Sequence, residues 1–228
     1  MYWIIFIGTV LASWLVSSNF NRKAKKYSRM LLDSGMTGRE VAEKMLYDSG
    51  IDNVTVQPTT GMLSDNYNPM NRTINLSEAV YYGKSVLSAS VAAHETGHAV
   101  QHVHAYAPLT LRSTLVPVVS FASKWVTWII LGGLFLMGSN PHFGSPVLGA
   151  GVALFALTTI FSFITLPVEI NASQRALTWL NRSGITNASN HAAAEDSLKA
   201  AAYTYVVAAL SSLASLLYYA SIAFGGRD

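Results

Sequence analysis

The chain has no cysteine among its 228 residues. That excludes disulfides and any thiolate metal site, and it leaves the redox compartment open. Charge is also scarce: Asp, Glu, Lys and Arg make up 12 %, where a soluble domain carries about 25 %. The formal net charge is only +3, and no basic run interleaved with aromatics points to nucleic acid. No internal repeat and no low-complexity tract is present. Hydrophobic types, in contrast, reach 51 %, and the mean hydropathy is +0.32. Such a surface is too poor in charge to face water everywhere, so the composition implies an integral membrane protein with a modest polar portion.

Four stretches are long and apolar. Tyr2 to Phe20 and Pro146 to Val168 carry no charge, nor does Ala200 to Phe224; Leu115 to Met137 carries only Lys124, which either snorkels or faces the interior. A spanning helix needs roughly 20 apolar residues, so four spans are expected: 1–20, 115–138, 146–168 and 200–224. The first has no basic residue before its apolar core and no small-x-small site after it, so a retained span is expected there. Arg22, Lys23, Lys25, Lys26 and Arg29 follow it. The charge bias places them in the cytoplasm. The loop 138–145 lacks Lys and Arg, while Arg112, Arg175, Arg182 and Lys199 fall on the cytoplasmic side and Arg227 alone runs against the trend. The polar regions 21–114 and 169–199 are therefore expected to share the cytoplasmic face of a multi-pass cell-membrane protein.

Within 21–114, residues 21–32 read as a continuation of the first helix or a short amphipathic one. Thr37 and Glu40 fit a capping box, opening a helix that ends near Ser49-Gly50. Val54 and Val56 alternate with polar residues, and Arg72 to Leu76 forms a second short strand, with a turn-rich segment from Gly61 to Met70 between them. Ser77 is placed to cap the segment after that strand. From Ser85 to His104, small and apolar residues recur at helical spacing. The fold class expected is mostly α: a polytopic membrane protein with about four transmembrane helices and a small α+β, zincin-like cytoplasmic portion.

The helix from Ser85 contains AAHETGHAVQH. Positions i and i+4 lie on one face, so His94 and His98 can aim two imidazole nitrogens at one ion. Glu95 is rotated about 100° from His94 and is set beside the metal rather than on it, the general-base position of H-E-x-x-H metalloproteases. The bland alternative is a pair of helix histidines satisfied by hydrogen bonds. Gly97 costs helix stability, roughly 1 kcal/mol against alanine; a close approach of another element or of substrate accounts for it, and so does tolerated chance. Two imidazoles without thiolates suit Zn2+.

A catalytic zinc needs a third protein donor, and three residues are candidates. His102 extends the face but lies about 12 Å along the helix from His94. His104 stands where the longer H-E-x-x-H-x-x-G-x-x-H pattern has its last histidine; that pattern needs a glycine to turn the chain, and Gln101 is there instead, favouring continued helix. Glu169, in LPVEINASQRAL, is a lone carboxylate directly after an apolar run, which is expensive without a partner. Glu169 carries the most weight of the three.

HETGHAVQH, LPVEINASQRAL and LKAAAYTYVVAALSSLASLLYY, together with the basic segment after the first span, resemble the bacterial YugP-type membrane zinc metallopeptidases over nearly the whole chain. More distantly the chain is similar to the HtpX and CaaX-prenyl membrane endopeptidases, which have Glu-x-x-Ala-Asp on the helix of the third ligand. Glu169, Asn171 and Ala172 match that helix; Ser173 stands in place of the aspartate that orients a ligand histidine. The resemblance implies His94, His98 and Glu169 as zinc ligands and Glu95 as the catalytic base.

The expected function is a membrane-embedded, zinc-dependent endopeptidase of the gluzincin type. It would hydrolyse peptide bonds at the cytoplasmic membrane face through a zinc-activated water. His102, His104, Tyr81, Tyr82 and Arg175 are candidates for stabilising the oxyanion, and the strand Thr73 to Leu76 could offer an open edge to an extended peptide. Expected partners are a peptide or membrane-protein substrate, the lipid bilayer, and a homo-oligomer or membrane-protein partner. A non-catalytic membrane scaffold or assembly factor with a structural zinc is the alternative. A transporter is weakened because Lys124 is the sole obvious intramembrane charge.

Overall fold

The computed structural model describes residues 2–225; Arg227 lies outside them. Two compact units divide the chain. One takes the first stretch up to Leu15, Leu111–Leu166 and the stretch from Tyr205; the other takes Val16–Thr110 and Pro167–Thr204.

Among the described residues, four helices are long and apolar enough to cross a membrane: α1 (Tyr2–Tyr27), α5 (Ala107–Ser139), α6 (Pro141–Arg182) and α7 (His191–Phe224). (Three shorter helices between the first two take the intervening numbers.) Each contains one expected apolar run and exceeds it. α1 continues through the basic residues to Tyr27, one of the two readings of 21–32. α5 and α6 abut at Asn140, so the expected loop 138–145 shrinks to a single non-helical residue. α6 does not stop at Val168 but runs unbroken through Glu169 to Arg182, because nothing after Val168 signals a helix end until Gly184, which takes a left-handed conformation.

In the apolar unit, Val126, Ile130, Leu148, Val152 and Ala223 form a buried cluster. Helices approach closely at Gly133, where a Cβ would stand 2.6 Å from the Leu148 amide nitrogen; small residues at such contacts are how helices pack in lipid. Thr159 and Ser212 hydroxyls share a 2.6 Å hydrogen bond. Lys124 is exposed.

The polar unit holds α2 (Gly38–Asp48), β1 (Thr55–Thr59), β2 (Asn66–Asn68), β3 (Thr73–Ser77), α3 (Glu78–Tyr81) and α4 (Val86–Val103). α2 opens on the capping box: Thr37 accepts from the Glu40 amide, and the Glu40 carboxylate accepts from the Thr37 amide at 2.7 Å. α4 opens on Ser85, whose hydroxyl accepts from the Ser88 amide, and closes at His104. Val41, Ala42, Met45, Ile74, Leu76, Val86, Ala89 and Ala93 are buried together with Ala176, Leu180, Ala194 and Leu198 of α6 and α7.

Two readings of this region are corrected. The sheet has three strands in the order β1-β3-β2, β1 parallel and β2 antiparallel to β3. β3 is therefore central and has no open edge; the segment read as turn supplies β2, which pairs along it. β1 is an edge strand, which is why Pro58, with no amide to donate, is accommodated. Ser77 makes no side-chain cap. Its hydroxyl donates to the Asp65 carboxylate at 3.0 Å instead.

Candidate metal centre

α4 carries His94 and His98 one turn apart, their rings 4.8 Å centre to centre and nearly perpendicular. α6 passes close to this face because residue 97 has no side chain: a Cβ there would lie 2.7 Å from the Ala172 carbonyl oxygen. Another element's close approach, not chance, thus accounts for Gly97. The crossing brings Glu169, 3 % exposed, against both imidazoles. Its Oε2 is 3.2 Å from His94 Nε2 and 3.6 Å from His98 Nε2. One donor atom from each of the three lies within 4.8 Å of the others.

Zinc ligands at about 2.0–2.2 Å in tetrahedral geometry stand about 3.3–3.6 Å apart. The two nitrogen–oxygen separations match that spacing, and two imidazoles with one carboxylate are a donor set zinc accepts. The residues fit the ion.

The far side of each ring is also engaged. His94 Nδ1 meets the Ser173 hydroxyl at 3.1 Å, and His98 Nδ1 meets Gln101 Oε1 at 3.0 Å. Gln101, fully buried, donates from Nε2 to the Val168 carbonyl at 2.8 Å and to Asn171 Oδ1 at 3.0 Å. Asn171 Oδ1 also accepts from Arg175 Nε at 2.8 Å. In the sequence Gln101 reads only as a helix former. The available signal was a polar side chain three residues past His98, among the apolar and small residues of α4.

Burial works against charge on His98, but the Glu169 carboxylate, the nearby Glu95 and Gln101 outweigh it, so the pKa of the imidazole stands above its ordinary value.

Glu95 is buried, 8 % exposed, and makes no hydrogen bond or ion pair among the described residues. The other two candidate donors lie elsewhere: His102 Nδ1 is 2.8 Å from the Tyr67 hydroxyl, and His104 Nδ1 is 2.8 Å from the Val100 carbonyl; neither joins the cluster. Among the oxyanion candidates, Tyr81 is buried and stacks edge-on with the exposed Tyr82, while Arg175 is held by Asn171.

No solved structure matches the chain. A curated protein of Bacillus subtilis (strain 168), "Putative membrane protease YugP", is 43 % identical over 217 residues, which cover 95 % of this chain and 92 % of that protein. A family model described as "Putative neutral zinc metallopeptidase" matches residues 2–224. With nearly its whole length matched and a two-histidine, one-glutamate cluster at a buried helix crossing, the chain belongs to this zinc metallopeptidase family.

Proposed function

We propose that the protein is a zinc-dependent endopeptidase of the cell membrane, multi-pass, with its site on the cytoplasmic side. His94, His98 and Glu169 would hold the metal, and Glu95 is the base. The observation that carries the reading is the convergence of the three donor atoms, 3.2 and 3.6 Å apart across α4 and α6, beside a buried carboxylate, Glu95, that makes no hydrogen bond or ion pair among the described residues. The family match and the relative's description support a protease role. The basic residues after the first span, which belong to the same unit as the donors, support the cytoplasmic side.

A zinc ion held there supplies Lewis-acid polarisation of a carbonyl and brings the pKa of water near 7. The chain's own residues do the rest. Glu95, uncommitted and shielded from solvent, takes the proton of the attacking water and passes it to the departing amine. The Ser173 and Gln101 contacts hold each ring by its Nδ1, leaving Nε2 directed at Glu169. Of the two edge strands, β2 lies against α4, where the Tyr67 hydroxyl meets His102 at 2.8 Å, so backbone pairing with an extended peptide is assigned there rather than to β3. The proposed substrate is a peptide or a membrane protein, and the proposed partners are the lipid bilayer and a second copy or another membrane protein.

Glu95→Gln is the test. Purified wild-type and variant proteins are assayed for zinc content and for cleavage of a quenched fluorescent peptide library. Expected is equal zinc with turnover lost by at least about 100-fold. Unchanged cleavage removes Glu95 from the role of base. Equal zinc with no cleavage by either protein favours a scaffold stapled by a structural ion.

A further inference from the structure

We infer that Gln101 is the positioning residue of the metal centre: one buried amide sets the tautomer of His98 and at the same time fixes the α6 backbone next to Glu169. The inference rests on the metal reading above.

Each orientation is fixed in turn, from the backbone inward. A carbonyl oxygen only accepts. The group of Gln101 that faces the Val168 carbonyl at 2.8 Å must then be its NH2. The same NH2 satisfies Asn171 Oδ1 at 3.0 Å. That orientation turns Gln101 Oε1, which only accepts, toward His98 Nδ1 at 3.0 Å. His98 must therefore carry a proton on Nδ1, and when the ring is neutral the lone pair is left on Nε2, the atom that faces Glu169. The tautomer of His98 is fixed by a main-chain carbonyl of another helix, with Gln101 as the intermediary.

His94 has no such constraint from its Nδ1 side. Its Nδ1 partner is the Ser173 hydroxyl, which can donate or accept, so either tautomer of His94 is compatible with it. The two ligands are thus oriented unequally, and the burden falls on Gln101. The same side chain also bonds the carbonyl of the residue immediately before Glu169. Two of the three donors are thereby tied to one amide with no exposed surface. Arg175, donating to Asn171 Oδ1, braces the outer end of the chain.

Outer partners of metal-binding histidines are worth about 10–100-fold in metal affinity. Gln101→Met keeps the volume and removes both polar ends. Thr96→Val is the control: Thr96 is fully buried on the same helix, but its hydroxyl serves only the Ala92 carbonyl. Full-length proteins in detergent are stripped of metal, and zinc affinity is measured by chelator competition. Cobalt(II) is then substituted and its visible spectrum recorded, and thermal unfolding of the metal-free forms reports their folding.

Expected for Gln101→Met is zinc binding weakened about 10–100-fold with altered cobalt bands, while Thr96→Val keeps wild-type affinity and spectrum even where its thermal midpoint falls. A folded Gln101→Met protein with wild-type affinity and bands overturns the role of Gln101 and leaves the metal reading standing. So does an equal loss in Thr96→Val. Wild-type protein that binds neither metal overturns both.

Discussion

Gly97 of α4 and Ala172 of α6 meet backbone to backbone where the two donor-bearing helices cross, and a Cβ on residue 97 would stand 2.7 Å from the Ala172 carbonyl oxygen. No flexible side-chain end lies there to move aside. Alanine in place of glycine favours an isolated helix by about 1 kcal/mol, but here the clash outweighs that gain. Gly97→Ala is expected to destabilise the protein by about 1–3 kcal/mol and to lower its zinc content, because separating the helices moves Glu169 from the imidazoles. Thermal unfolding and plasma mass spectrometry check both; a stabilised variant with full zinc would mean the crossing is looser than described.

The third donor is separable from its local rival. Glu169→Ala is expected to lose near-stoichiometric zinc. His104→Ala should keep it, because His104 Nδ1 is turned to the Val100 carbonyl at the end of its own helix. Zinc lost only in His104→Ala would instead indicate three histidines on one helix.

A pH dependence arises from the cap of α2. Hydrogen bonds from the Thr37 amide, then from its hydroxyl, hold the Glu40 carboxyl below its ordinary pKa. A lowered folded value means the charged form is the bound one, so its contribution is complete above the ordinary carboxylate range near 4.3 and fades as pH falls through the lower, folded value. The difference in unfolding midpoint between wild type and Glu40→Ala is expected to be present at pH 7 and to shrink in acid below pH 4. An unchanged difference would assign the effect to helix propensity alone.

The absence of native cysteine makes topology directly measurable. Asp52 and Asn140 are both exposed. In intact cells, a membrane-impermeant maleimide is expected to label Asn140→Cys, and to label Asp52→Cys only after permeabilisation. The opposite pattern would place the donors outside the cell.

Some of this fold is readable in the sequence because the causes are local. Ser85 as a cap, the spacing of small residues up to His104, and the Thr37–Glu40 box each act within four residues, and all three appear where expected. β2 is not readable. Its three residues have no β-branched run, and Asn66 is held by β3, where Asn75 Nδ2 donates to its side chain at 2.8 Å. Ser77 misleads for the same reason, since the Asp65 carboxylate, twelve residues earlier, takes its hydroxyl. At the candidate metal centre, the i, i+4 spacing puts His94 and His98 on one face and the electrostatic cost of a carboxylate after an apolar run singles out Glu169, and the structure brings the three side chains together. Spacing has no means of showing that Gln101 bonds a carbonyl 67 positions away.

The proposed donor set of two imidazoles and one carboxylate would decide what kind of chemical insult such a centre resists. Peroxide and disulfide exchange eject zinc from thiolate sites by consuming the sulfur, and here there is no sulfur to consume. Acid is the effective agent, because each of the three donors must be free of its proton to hold the ion. A metal held as proposed by His94, His98 and Glu169 would therefore be indifferent to the redox state of its surroundings and would be lost as they acidify.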